Sequence, residues 1–138
     1  MFVSPPLEED VRLSGTPTAR LHAQPSGDAH VSAILMDYSE EGQGGANQIV
    51  SRGWQDAKSV HSRWEEKPIR SDRNYVIEFD QMPQDYVFEA GRRIGVVVTG
   101  TDNRIFPPDG APPADFELDL RRSRTELPIV AGRDALGF

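Results

Sequence analysis

The chain has 138 residues, no cysteine and a formal net charge of −7. That length fits one domain able to bury a core of its own. The missing cysteine removes disulfides, a thiolate nucleophile and Cys-based zinc sites, and the acidic balance argues against a phosphate-binding surface, so no nucleic-acid partner is expected.

The opening Met1-Phe2-Val3-Ser4-Pro5-Pro6 carries no charged n-region and no long apolar run. No secretory leader is expected, and a cytoplasmic setting is favoured. The longest apolar stretch, Ile94 to Val98, is interrupted by Gly95 and is far short of the roughly 20 residues of a membrane-spanning helix.

In chain order, period-two alternation recurs. Val11 and Leu13 flank Arg12. Ala19, Leu21 and Ala23 alternate with Arg20 and His22. Tyr75, Ile77 and Phe79, then Tyr86, Phe88 and Ala90, then Phe116, Leu118 and Leu120 repeat the pattern, and Leu127 to Val130 continues it. Each segment predicts a half-buried antiparallel strand with one wet face. Turn residues separate them: Ser14-Gly15, Ser26-Gly27-Asp28, Gly42-Gln43-Gly44-Gly45, Ala90-Gly91 and Pro107-Pro108-Asp109-Gly110.

Two segments are apolar on both sides. Val31, Ala33 and Leu35 alternate with Ile34, Met36 and Tyr38, and Ile94 to Val98 is nearly continuous. Such a strand is either central and covered by its own domain, or presents one face to a second domain outside this chain. Between Trp54 and Trp64, Trp54, Ala57, Val60 or His61, and Trp64 fall at helical spacing, so a short helix or an irregular excursion is expected, ended by Pro68. The whole predicts an all-β sandwich with Greek-key or jelly-roll connections and at most one or two short helical turns.

No G-x-S-x-G elbow, G-x-x-x-x-G-K-[ST] phosphate loop or H-E-x-x-H metal helix is present. No catalytic residue, metal ligand or cofactor is therefore assigned. His22 and His30 straddle the Gln24 to Asp28 turn and could face each other across a hairpin, with Asp28 as a third ligand; ordinary half-buried histidines are the plainer reading. Glu8-Glu9-Asp10 and Thr101-Asp102-Asn103 are solvated acidic or oxygen-rich stretches that could hold a structural calcium. Arg121-Arg122-Ser123-Arg124 reads as a charged hairpin turn or as a contact for an acidic partner. Trp54, Trp64, Tyr38 and Phe106 could stack on a sugar ring, or pack in a core or between domains.

Several of these residues also carry a family likeness. Ser51-Arg52-Gly53-Trp54 with Asp56-Ala57, then Pro68, then Asp85-Tyr86-Val87-Phe88-Glu89-Ala90-Gly91-Arg92-Arg93-Ile94-Gly95, then Thr101-Asp102, resembles the C-terminal non-catalytic domain of Xaa-Pro dipeptidyl-peptidase and cocaine-esterase-like serine hydrolases. The entry Ser4-Pro5-Pro6-Leu7-Glu8-Glu9-Asp10-Val11 with Leu13 to Pro17, and the close Phe116 to Leu120 with Leu127 to Gly132, fit the same pattern. Arg92 departs from it, standing where His or Lys is expected.

The resemblance covers roughly Phe2 to Gly132. It implies a galactose-binding-like jelly roll excised from a larger enzyme, packing on an α/β-hydrolase domain that holds the family's Ser, Asp and His. That partner would lie in cis, or in trans if separately encoded. Ile34, Met36 and Tyr38, with Trp54 and Trp64, are the expected interdomain or binding surface, and an orphaned apolar face could also pair two copies. A carbohydrate-binding module and a free-standing accessory subunit are the rival readings.

Overall fold

The computed structural model describes residues 1–39, 46–62, 64–100 and 115–137. Among them lie ten strands: β1 (Phe2–Val3), β2 (Val11–Gly15), β3 (Thr18–Pro25), β4 (His30–Tyr38), β5 (Gln48–Asp56), β6 (Tyr75–Asp80), β7 (Gln84–Phe88), β8 (Arg93–Thr99), β9 (Phe116–Leu118) and β10 (Arg124–Glu126). Among the described residues helical structure is confined to the 3-10 turns Ala57–Ser59 and Arg133–Leu136. The chain is an all-β protein, as its alternation predicts.

The strands form two stacked layers. The first is an antiparallel four-stranded sheet in the order β1-β8-β4-β5. In the second, β3 pairs with β6 on one side and with β9 and β10 on the other, while β2 pairs with β7. The two ladders continue each other around a corner, where the Gln81 N–H donates to the Pro17 carbonyl at 2.8 Å.

Both ladders pack on the inner face of the first sheet. At one end Val31 and Ala33 of β4 meet Leu21, Ile77 and Phe79. At the other, Leu35, Val50 and Ile94 meet Val11, Leu13 and Phe88. Leu13, Leu35, Ile77 and Phe88 are fully buried; each such side chain contributes roughly 1.5–3 kcal/mol by leaving water.

The segment from Trp54 to Trp64 differs from expectation. Trp54 lies in β5, opposite Ser32 of β4, and only Ala57–Ser59 turns helically, with the Asp56 carboxylate accepting from the Lys58 N–H at 3.0 Å. A continuous ladder with β4, from His30–Asp56 to Asp37–Gln48 with one bulge between Leu35 and Met36, outweighs the helical spacing of four residues. β5 itself has no period-two signature, because Ser51, Arg52 and Gly53 break the apolar alternation.

Gly53 has a packing reason. A Cβ at that position would lie 2.4 Å from the Asp80 carbonyl oxygen and 2.8 Å from the Gln81 Cα. The backbone of β5 thus passes directly over the β6–β7 corner. It is held there by the Met82 N–H on the Arg52 carbonyl (2.9 Å) and by the Ser51 hydroxyl donating to the Met82 carbonyl (2.6 Å).

Two further expectations are corrected. The arginine-rich segment is no hairpin turn, because β9 and β10 pair with the same edge of β3 and not with each other. It is a bulge in one interrupted strand: Arg121 N–H and Ser123 N–H turn onto the Asp119 carboxylate and carbonyl, and Ser123 Oγ accepts the His22 N–H at 3.0 Å. After Glu126 no strand forms among the described residues. The chain makes one isolated bridge, Leu13 to Ile129, and moves its hydrogen bonds to β2 through Pro128 and Val130.

Candidate functional site

The outer face of the four-stranded sheet follows from the β4 ladder. Because side chains alternate across a strand, burying Val31, Ala33 and Leu35 turns Ile34, Met36 and Tyr38 outward, where they are half-buried. β8 places Val97 beside Ile34, Gly95 beside Met36 and Arg93 beside Tyr38. β5 places Arg52 beside Ile34 and, past the bulge, Ile49 beside Met36. Val3 of β1 stands opposite Gly95.

The result is an aliphatic surface centred on Ile34, Met36 and Val97, with Ile49 45% and Trp54 37% exposed at its β5 edge. Gly95 keeps the centre shallow. A Cβ built on it would only touch the Met36 and Tyr38 Cβ atoms, at 3.6 Å, so the glycine leaves a gap without being forced by a clash.

The structure therefore brings Ile34, Met36, Tyr38 and Trp54 onto one face. Trp64 does not join them: it is 96% exposed in the coil between the 3-10 turn and β6. Phe106 and Thr101-Asp102-Asn103 lie outside the described residues.

The histidines do not assemble. His22 lies on β3 and His30 on β4, in different sheets, so they do not face each other across a hairpin. His30 Nδ1 is 3.9 Å from an Asp56 carboxylate oxygen, and the His61 ring packs near that of Tyr75. Among the described residues no group of three or more His, Asp or Glu could hold a metal ion. Within the Glu8-Glu9-Asp10 run, the Asp10 carboxylate accepts the Ala90 N–H at 2.9 Å, tying the approach to β2 to the turn before β8.

Sequence reasoning missed one site. Asp37 belongs to the inward-facing set of β4 and is nearly buried. A carboxylate there is costly unless paired and hydrogen-bonded. Arg92 supplies the charge, Nε to Oδ1 at 2.6 Å, and its Nη2 donates to the carbonyls of Asp37 (3.2 Å) and Ala46 (3.1 Å). The Tyr86 hydroxyl donates to the other carboxylate oxygen at 2.7 Å.

Burial first, and then the hydrogen bond to and charge of Asp37, push the Tyr86 phenol up to about 12. The trio lines a polar cleft of about 590 Å³ with Gln48, Glu89 and Ser39. The trio is a clasp that closes one end of the sandwich. Two signals pointed there: a lone Asp inside the doubly apolar segment, and the arginine that breaks the family pattern.

Residues 1–127 match the family model described as the X-Pro dipeptidyl-peptidase C-terminal non-catalytic domain. A Bacillus cereus (strain ATCC 14579) protein named "Putative Xaa-Pro dipeptidyl-peptidase" is 35% identical over 132 residues, 94% of this chain and 21% of its own length.

Among solved structures, an α-amino acid ester hydrolase superposes with a TM-score of 0.79 at 24% identity, covering 94% of this chain and 25% of the other. An aminopeptidase from a marine-sediment Thaumarchaeota archaeon gives 0.74 at 24%, with the same coverage. Both show the fold. The chain spans about a fifth of the length of the curated relatives it matches.

Proposed function

Because the chain belongs to the family of X-Pro dipeptidyl-peptidase C-terminal non-catalytic domains, we propose that it serves as the packing domain of a longer serine hydrolase. Its four-stranded sheet sets its outer face against an α/β-hydrolase catalytic domain, in cis. Acyl transfer, releasing Xaa-Pro dipeptides or hydrolysing esters, belongs to the Ser, His and Asp of that domain. This chain contributes stability and one wall of the active-site region. A separately encoded catalytic partner would use the same face, and a second copy of the isolated chain would meet the first through it.

The observation that carries this reading is the solvent-facing aliphatic centre of the sheet, Ile34, Met36 and Val97, continued by Ile49 and Trp54. Contiguous apolar patches of this kind mark partner surfaces. A sugar-binding sheet needs neighbouring aromatics. Here Trp54 stands opposite Ser32 of β4, six residues along that strand from Tyr38, roughly 20 Å at strand spacing, with Ile34 and Met36 between them.

The test is a Met36→Glu substitution made twice, in the isolated chain and in a chimera where this chain replaces the matching segment of the Bacillus cereus relative. The isolated domain is expected to melt within about 2 °C of its parent, as a surface change should. The chimera is expected to lose most Xaa-Pro-nitroanilide hydrolysis or to melt well below its unsubstituted form. An equally active and equally stable substituted chimera would refute the docking face.

A further inference from the structure

Both layers contribute to an apolar cleft of about 360 Å³. Phe2, Val96 and Val98 line it from the first sheet, and Leu21, Leu118 and Leu127 from the second. It is separate from the outer sheet face, because Val96 and Val98 point inward where Val97 of the same strand points outward. Phe2 and Leu120, 41% and 58% exposed, mark its mouth. Sites for small molecules have this character, with aliphatic walls supplying affinity and a few polar groups setting orientation.

The polar groups gather at the bulge between β9 and β10. Leu120 and Ser123 both line the cleft, and Arg121 and Arg122 stand between them in sequence, exposed. Asp119 fixes the bulge: its carboxylate accepts the Arg121 N–H at 3.0 Å and its carbonyl the Ser123 N–H at 2.9 Å. The flanking arginines are already paired, Arg20 with Glu78 and Arg124 with Glu126. Among the described residues no carboxylate lies within ion-pair distance of the Arg121 or Arg122 guanidinium. Ser123 Oγ accepts the His22 N–H at 3.0 Å, which leaves its hydroxyl proton for a further acceptor.

The chain as a whole carries a net charge of −7, so two unpaired guanidiniums beside an aliphatic cleft set this place apart. An anion with an apolar tail suits both halves. Among anions a carboxylate matches the guanidinium fork, which donates two parallel N–H bonds to it.

From this we infer that the cleft binds an aliphatic carboxylate, its chain between the two layers and its head group at Arg121, Arg122 and the Ser123 hydroxyl. A neutral analogue keeps only the contribution of the tail, and a cationic one meets like charge. The inference is independent of what covers the outer sheet face.

The experiment titrates octanoate, octanol and octylammonium, each below its micelle concentration, into the full chain. Calorimetry reads the affinity, and methyl chemical shifts read the place. Octanoate is expected to bind at one site, to shift the methyls of Val98, Leu118 and Leu127, and to bind about tenfold or more tighter than the other two. The double variant Arg121→Glu, Arg122→Glu is expected to melt within about 2 °C of its parent, since both side chains are exposed. It should lose that advantage for octanoate and bind octanol unchanged. Equal affinity for octanoate and octanol, equal octanoate affinity in the variant, shifts centred on Ile34 and Met36, or no saturable binding would each overturn the inference.

Discussion

At the scale of single residues, Asp37 and Arg92 decide whether one end of the sandwich closes. Their side chains are 7% and 13% exposed, so either one alone would be a poorly solvated charge. Replacing Arg92 with Leu should therefore cost about 3–5 kcal/mol, a large share of the 5–15 kcal/mol typical of a whole domain. Adding Asp37→Leu to it should restore most of the loss, because an apolar pair replaces an ionic one. Urea unfolding of the two single variants and the double variant measures this, and additive losses would show that the pair does not act as a unit.

Tyr86 adds a pH signature. Its folded pKa of about 12 lies above the ordinary 10.0, so the fold favours the neutral phenol. The contribution is complete below pH 10 and is lost as the pH rises toward 12. Solvent screening moderates it, since the ring is only partly buried. The melting temperature of the native chain should fall more steeply over that window than that of Tyr86→Phe. Parallel curves would count against the raised pKa of the partly buried phenol. Sequence could flag Asp37 and Arg92 as anomalies but could not join them, because 55 positions separate the pair and the contact depends on how β4 ends against the turn before β8.

At the scale of elements, β5 shows where periodicity stops being informative. Its Ser51-Arg52-Gly53 run reads as a break, yet Gly53 is where two backbones cross and Ser51 fastens the crossing. Gly53→Ala would force β5 away from the Asp80 carbonyl. A destabilisation of about 2–3 kcal/mol is expected, at the upper end for overpacking, with a midpoint shift in denaturant as the readout. A change under about 0.5 kcal/mol would mean the crossing is loose.

The interrupted β9–β10 strand makes the complementary point. Leu118 and Thr125 alternate correctly on either side of the bulge, but the five residues from Asp119 to Ser123 span only Leu21 and His22 of β3. Ser123 Oγ substitutes for the missing ladder acceptor of the His22 N–H. Ser123→Ala should cost about 1 kcal/mol, read as a lower melting temperature with the fold intact.

For the molecule as a whole, alternation was legible because β2, β3, β6 and β7 each keep one face buried and one wet. That is enough to infer two layers. Which strands neighbour one another was not legible, since β1–β8 and β3–β10 pairings join distant parts of the chain. The outer face was half legible. Ile34, Met36 and Tyr38 announce themselves as a second apolar register on β4, whereas Ile49, Val97 and Val3 join only through pairing. Trp64 shares with Trp54 only its residue type and its closeness in sequence, and neither property fixes a place on the sheet.

The central claim is that this sheet face is covered by a catalytic domain. Hydroxyl-radical footprinting tests it most directly, comparing the isolated chain with the chimeric hydrolase. Met36, Tyr38 and Trp54 should oxidise readily in the isolated chain and several-fold more slowly in the chimera, while Trp64, exposed in the coil before β6, serves as the reference site. Equal oxidation of Met36 and Trp54 in both proteins would contradict the account.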